Sequence, residues 1–427
     1  MEFVIVAYMR LVEAFGNDVG ELARKNGGKA RSLMLLGYRA QEFRLKHFPD
    51  KRFTPSKQYL SWLIMHFMRS VLIQPEKSAM TSLFIPSEPL LTAGYIPYSV
   101  EGLSAFMTGT RCQNQLLDAE DEDQGLCSFH RIFLGGAKLG LLPKPPFILY
   151  TNVACDANMI TFPYISRTYG VPRFIVDVPY ELSSESVAYV AGELKEMVRF
   201  IEDNTHTMID GEKLKETMRT TTKTYALYQQ YLSLSATKYV PGDVTSQMYE
   251  IMTNHMLLGS RETLKYWTLS VKDFQDAGPN QGLKILWIHT IPFAQMPVRQ
   301  LLNFNPKVHV VSCEMSYESM LVPPPDPEDP YGSMANRMVY SAFNSSVDHR
   351  IEQVLRLQSI VHADGAVFFG HWGCKATLAS SSMMKKALED AGLPCLFLDG
   401  DGCDMRNQSD GQTETRLQAF VELLEAR

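Results

Sequence analysis

A supersecondary unit occurs twice in this chain. Residues 147–177, "FILYTNVACDANMITFPYISRTYGVPRFIVD", read as strand, turn, helix, Gly-x-Pro turn and strand. Residues 366–399, "AVFFGHWGCKATLASSSMMKKALEDAGLPCLFLD", read the same way. The match extends to single positions: Tyr150 and Phe369 stand five residues before Cys155 and Cys374, and Asp177 and Asp399 stand seven after Gly170 and Gly392. Apolar strand runs alternating with helices are the signature of parallel α/β units, whose crossover helices bury both sheet faces. The repeat therefore predicts two α/β sections, with a cysteine at the same strand-to-helix junction in each.

The rest of the chain divides around these units. Residues 1–80 have helical spacing with a break at "FPDKRFTPSKQ", and form a helical N-terminal region. "LFIPSEPLLTAGYIPYSVEG" (83–102) suggests short elements joined by tight turns. Helices are expected near 186–204, 211–237, 243–256 and 259–272. A second α/β section opens at "GLKILWIHT" (282–290), continues at "VHVVSCE" (308–314), and is interrupted by the proline-rich "LVPPPDPEDPYGS" (321–333). The expected domains are 1–80, 81–275 with a helical extension, and 276–427.

A net charge of −6 argues against a nucleic-acid partner, which needs a concentrated basic surface. "YLSWLIMHFMRSVLIQ" (59–74) is too short for a membrane span and carries His66 and Arg69, so a packed helix at a domain or subunit interface is expected. The first residues lack the basic start and cleavage pattern of an export signal, which points to the cytoplasm. The seven cysteines contain no CxxC pair and no dense disulfide framework. The acidic run "DAEDED" (118–123) reads as a solvated face or loop.

Ligands of parallel sheets collect at the carboxyl ends of strands, where Cys155 and Cys374 fall. A helix N-terminus there favours a thiolate, as nucleophile or as metal ligand. Cys127, in "GLCSFHRIFLGG", is a third such position. The residues alone leave three readings open: a soft metal centre on three thiolates, unrelated buried cysteines, or a Cys-His pair using His130 or His371. "LDGDGCD" (398–404) can cap turns or hold a hard cation, turn capping being preferred. Trp372 is expected to be packed, with shielding of a site from water as the alternative.

"LFIPSE" (83–88), "CSFHR" (127–131), "TNVACDAN" (151–158), "VPRFIVDVP" (171–179), "HWGCK" (371–375) and "LDGDGCDMRN" through "GQTETRLQAFVELLE" (398–425), taken in order, resemble the 2-hydroxyacyl-CoA dehydratase and class I benzoyl-CoA reductase family. The resemblance implies two flavodoxin-like parallel-sheet domains with inserted helices. It implies one [4Fe-4S] cluster per chain on Cys127, Cys155 and Cys374, leaving Cys112, Cys313, Cys395 and Cys403 as structural residues. It further implies an acyl-CoA substrate, a homologous partner subunit, and a separate ATP-hydrolysing iron–sulfur activator; the chain itself has no GxxxxGK[ST] loop. The implied reaction adds one electron to the thioester carbonyl, giving a ketyl radical anion that expels the 2-hydroxyl and acidifies the β-proton. The electron is then returned. Glu88, Glu101 and His130 are the acid–base candidates, against a cap or surface pair for Glu88 and a core histidine for His130. Ser128, Asn152, Asp156, His371 and Lys375 are candidates for tuning the cluster or orienting the thioester. Asp177 and Asp399 are expected to fix strand ends. An aromatic acyl-CoA reductase subunit, a homodimeric double-cubane reductase, a cluster-free scaffold and a Cys-His hydrolase are the rival readings.

Overall fold

The computed structural model describes residues 2–119, 125–317 and 323–427, so most of the acidic run and the start of the proline-rich interruption lie outside the described residues. Among those described, eight strands form two four-stranded sheets. The first holds β1 (Ser78–Thr81), β2 (Ile96–Ser99), β3 (Ile148–Thr151) and β4 (Arg173–Val176) in the order β2-β1-β3-β4. The second holds β5 (Leu283–Ile288), β6 (Val308–Cys313), β7 (Gly365–His371) and β8 (Cys395–Gly400) in the order β6-β5-β7-β8. Every pairing is parallel.

The repeated units supply corresponding strands of the two sheets, β3-β4 and β7-β8. Registers Tyr150↔Ile175 and Phe369↔Leu398 place the matched aromatic residues beside the neighbouring strand. All of β3 and β7 is buried, as expected of inner strands covered on both faces. The helix Asn158–Tyr169 ends at Gly170 in the left-handed conformation, and Lys375–Asp390 ends two residues before Gly392, also left-handed. Both turns then feed the next strand through Pro172 or Pro394.

The N-terminal region consists of helices Glu2–Lys25, Gly27–His47 and Pro55–Ile73. The membrane-like run lies in the third, and its Leu60, Leu63, Ile64, Phe67, Met68 and Val71 are buried within this chain. Its packing partners include Gly27–His47, Val244–Met256 and Arg261–Asp276. Lys57 is drawn into that core by the buried carboxylate of Glu250 and by Tyr266 Oη at 3.1 Å. No helix among the described residues is long and apolar enough to cross a membrane.

The short elements expected at 83–102 include β2, whose Pro97 is accommodated because β2 is an edge strand. The long middle helices run Ser184–Thr205, Gly211–Ser235, Val244–Met256 and Arg261–Asp276. The helix Pro330–Val339 packs on Ser184–Thr205, and its Met334, Ala335, Met338 and Val339 join the apolar cluster beneath the first sheet.

Candidate metal centre

In both sheets the strand order reverses between the first and third strands, β1 and β3 or β5 and β7. Such switch points open a crevice at the carboxyl ends of the strands. Cys155 follows β3 and Cys374 follows β7, one at each crevice. Each cysteine is preceded by a left-handed residue, Ala154 at φ +70° and Gly373 at φ +84°, so the repeat extends to the backbone bend that presents the thiol. Cys127 stands at the N-cap of the helix Ser128–Lys138. It is brought to the second crevice by close approach to Gly373: a Cβ there would stand 2.7 Å from Cys127 Cα and 2.8 Å from its amide nitrogen.

The three thiols are close enough to influence one another's ionisation. Each also faces a different imidazole. Cys127 Sγ lies 3.2 Å from His371 Nε2, Cys155 Sγ 3.3 Å from His130 Nε2, and Cys374 Sγ 3.7 Å from His289 Nε2. Burial pushes the Cys155 thiol up to about 12, with the nearby Glu101 carboxylate and Cys374 adding to the shift. The amides of Ala157 and Asn158 oppose that shift, which is the helix N-terminal effect expected from the sequence, but burial outweighs it. Cys127 is likewise raised, by burial first and then by the other two thiols. The Cys127 and Cys155 sulfurs therefore keep their protons at neutral pH.

The imidazoles are neutral for the same reason. Burial pushes His371 and His130 down to about 4 and His289 well below its usual range. His289 directly follows the first strand of the second sheet and has no signal in the sequence beyond that place. Arg350, ion-paired to Glu314 at 2.7 and 2.8 Å, lies within electrostatic reach of Cys374 and His289.

The remaining candidates are distributed unevenly. Glu101, in the first turn of Val100–Gly109, is within electrostatic reach of Cys155; its Oε2 is buried without a partner, and burial pushes its carboxyl up to about 7. Glu88 is completely buried, but Arg337 takes both its oxygens at 2.8 Å and Thr221 Oγ1 adds a bond at 3.2 Å. It is thus neither a cap nor a surface pair. His130 combines its Cys155 contact with Thr161 Oγ1 at 2.9 Å. Ser128 Oγ donates to Asp401 Oδ1 at 2.5 Å. Asn152 pins the end of β4 through Asp177 and both backbone groups of Val178. Asp156 and Lys375 are exposed.

Asp399 meets Arg416 at 3.4 Å, while Asp401 and Asp404 accept from backbone amides in their own turn, which is the capping role expected of "LDGDGCD". Trp372 is 44 % exposed, against the expectation of a packed side chain. It directly follows β7 and borders a cleft with Gln295, Asp399, Gln412 and Arg416.

Among the described residues, no three His, Cys, Asp or Glu side chains are spaced to hold a single metal ion. Cys127, Cys155 and Cys374 are a soft, all-sulfur donor set drawn from separate elements.

The family model described as 2-hydroxyglutaryl-CoA dehydratase, D-component, matches residues 82–424. The chain belongs to this family. All three thiols and their imidazoles lie inside the match, whereas the helices Glu2–Lys25, Gly27–His47 and Pro55–Ile73 precede it. Among dehydratase relatives, the chain is 23 % identical over 332 residues to the (R)-2-hydroxyisocaproyl-CoA dehydratase alpha subunit of Clostridioides difficile, covering 71 % of this chain and 78 % of that one. It is 22 % identical over 331 residues to the (R)-phenyllactyl-CoA dehydratase alpha subunit of Clostridium sporogenes, covering 71 % and 77 %. It is also 20 % identical over 361 residues to one of the subunits of the benzoyl-CoA reductase of Thauera aromatica, covering 76 % and 83 %.

Proposed function

We propose that this chain is the cluster-bearing subunit of a cytoplasmic enzyme that dehydrates an (R)-2-hydroxyacyl-CoA to the 2-enoyl-CoA through a ketyl radical. The observation that carries this reading is the set of three buried or half-buried thiols, Cys127, Cys155 and Cys374, gathered at the two sheet crevices and each matched to an imidazole. They would hold one [4Fe-4S] cluster, which when bound supplies a low-potential electron and an iron position able to polarise a carbonyl oxygen. Each sheet with its covering helices is read as a flavodoxin-like domain, the first beginning with β1 at Ser78 and running to 275, the second 276–427, behind the N-terminal helices. The shared strand order, second-first-third-fourth, supports this.

The chain's own residues divide the remaining work. Glu101, protonated or ionised with equal ease near neutral pH, is the proton-holding group beside Cys155. His130 orients the Cys155 sulfur. Glu88 acts through Arg337: the pair lines up the segment "LFIPSE", and Arg337 borders a small cleft with Leu83, Phe84, Val153 and His255. Arg350, held by Glu314, stands within electrostatic reach of Cys374.

A homologous partner subunit and an ATP-hydrolysing iron–sulfur activator complete the enzyme in this reading; the relatives, which are alpha subunits of dehydratases, support it. The likeness to a benzoyl-CoA reductase favours an aromatic acyl-CoA reductase as the second reading. An assay of the anaerobic complex with ATP and activator separates them: 2-enoyl-CoA forms from a 2-hydroxyacyl-CoA, or ring-reduced product forms from benzoyl-CoA. Turnover that survives omission of ATP and activator, or replacement of Cys155 by Ser, contradicts both.

A further inference from the structure

We infer that His371 is a positioning residue that donates its Nε2–H to the Cys127 sulfur and thereby sets how readily the centre accepts an electron. The inference rests on the iron–sulfur reading above and adds a specific task for one imidazole.

The direction of this hydrogen bond is dictated by the other side of the ring. The backbone N–H of Gly402 points at His371 Nδ1 at 2.9 Å. An amide can only donate, so Nδ1 carries the lone pair, and the proton of a neutral ring sits on Nε2, which faces Cys127 Sγ at 3.2 Å. The ring of His130 is not fixed in this way: its Nδ1 meets the Thr161 hydroxyl, which gives or accepts equally well.

The lock is itself built in. Asp401 Oδ1 accepts from the amides of Cys403 and Asp404, both at 2.9 Å, which fixes the turn that carries Gly402. The same oxygen accepts from Ser128 Oγ at 2.5 Å, next in the chain to Cys127. One carboxylate thus holds the donor's support and the acceptor's neighbour in register. His371 is 1 % exposed, and Phe129 packs edge-on against its ring with centroids 5.1 Å apart. A Cβ on Gly402 would stand 3.3 Å from Nδ1, so the turn approaches the ring as closely as a bare backbone allows.

Reduction adds negative charge to sulfur as well as iron, and a donor to a ligand sulfur favours the reduced form. Removing the donor makes reduction harder.

The test is a redox titration of reconstituted protein with titanium(III) citrate as the one-electron donor, followed by EPR, alongside iron and sulfide counts. In H371L the ratio of reduced to oxidised centre, at the wild-type midpoint, is expected to fall about tenfold, a shift of ~59 mV to more negative potential for a one-electron couple. H371Q places an amide N–H near the Nε2 position and is expected to restore at least half of that shift. Full iron in H371L with an unmoved midpoint overturns the inference and leaves the iron–sulfur reading standing. Lost iron in H371L with no shift in the centres that do form also overturns it, showing a purely structural role. Wild-type protein that takes up no iron overturns both. If H371L does not fold, pulsed EPR on 15N-histidine protein decides: H371Q loses one weakly coupled imidazole nitrogen present in wild type, and retention of all of them refutes the assignment.

Discussion

Replacing Gly373 by Ala tests how Cys127 and Cys374 are held together. The new Cβ would lie 2.7 Å from Cys127 Cα, 2.8 Å from Cys127 N and 3.2 Å from the Leu126 carbonyl carbon, where ordinary contact begins at 3.4 Å. These neighbours are backbone, so they cannot swing aside as a side-chain tip does, and the segment entering the helix Ser128–Lys138 must retreat by about 0.7 Å. Overpacking of this kind costs roughly 1–3 kcal/mol. The left-handed conformation at φ +84° adds about 1–2 kcal/mol for any residue with a Cβ. The native state is therefore destabilised by roughly 2–5 kcal/mol unless Cys127 separates from Cys374, and separation relieves the clash at the expense of the metal centre. Denaturant unfolding of the metal-free protein measures the first effect, and iron per chain after anaerobic reconstitution measures the second. G373A is expected to lose stability, to bind less than half the wild-type iron, or both. Ala154→Gly, at the equivalent position with φ +70°, relieves strain and is expected to keep full iron. G373A with wild-type unfolding and wild-type iron would refute the close approach on which the site is built.

Three further outcomes are expected. Glu88→Gln leaves Arg337 buried without its counter-charge and should destabilise the protein by about 3–5 kcal/mol in urea unfolding, with Arg337→Met on the same background recovering part of the loss. Glu101→Gln should lower kcat by roughly 10²-fold or more with iron content unchanged, because it removes the proton-holding group but no ligand. His255, buried with Nε2 on the Met315 carbonyl at 2.8 Å, is pushed from 6.5 down to about 4. The unfolded chain gains that proton first, so stability present above pH 6.5 is lost as pH falls toward 4, on the order of 3 kcal/mol in all. His255→Gln should flatten the unfolding-versus-pH curve in that window by about one proton.

The repeat was readable because strand runs, Gly-x-Pro turns and the position of a cysteine are local features. It places Cys155 and Cys374 at matching strand-to-helix junctions. Cys127 belongs to neither unit, and its place depends on a contact with Gly373, 246 positions later, that no spacing rule reveals. The pairing of each thiol with an imidazole is likewise tertiary. His289 comes from a strand end 85 residues before Cys374, and His371 reaches 244 residues back to Cys127. Glu88 looked like a cap because its partner Arg337 is 249 positions away. The strand β1, "SAMT", was invisible because four small or flexible residues show neither alternation nor β-branched enrichment. Trp372 reads as core from its side chain alone, but its place just after the end of β7 leaves it partly exposed.

Iron and acid-labile sulfide per chain, measured on protein purified without oxygen, test the proposed centre most directly. About four of each are expected in wild type, falling steeply in Cys127→Ser, Cys155→Ser and Cys374→Ser but not in Cys395→Ser. A well-folded anaerobic preparation without iron, in which Cys127, Cys155 and Cys374 are each alkylated independently, would contradict it.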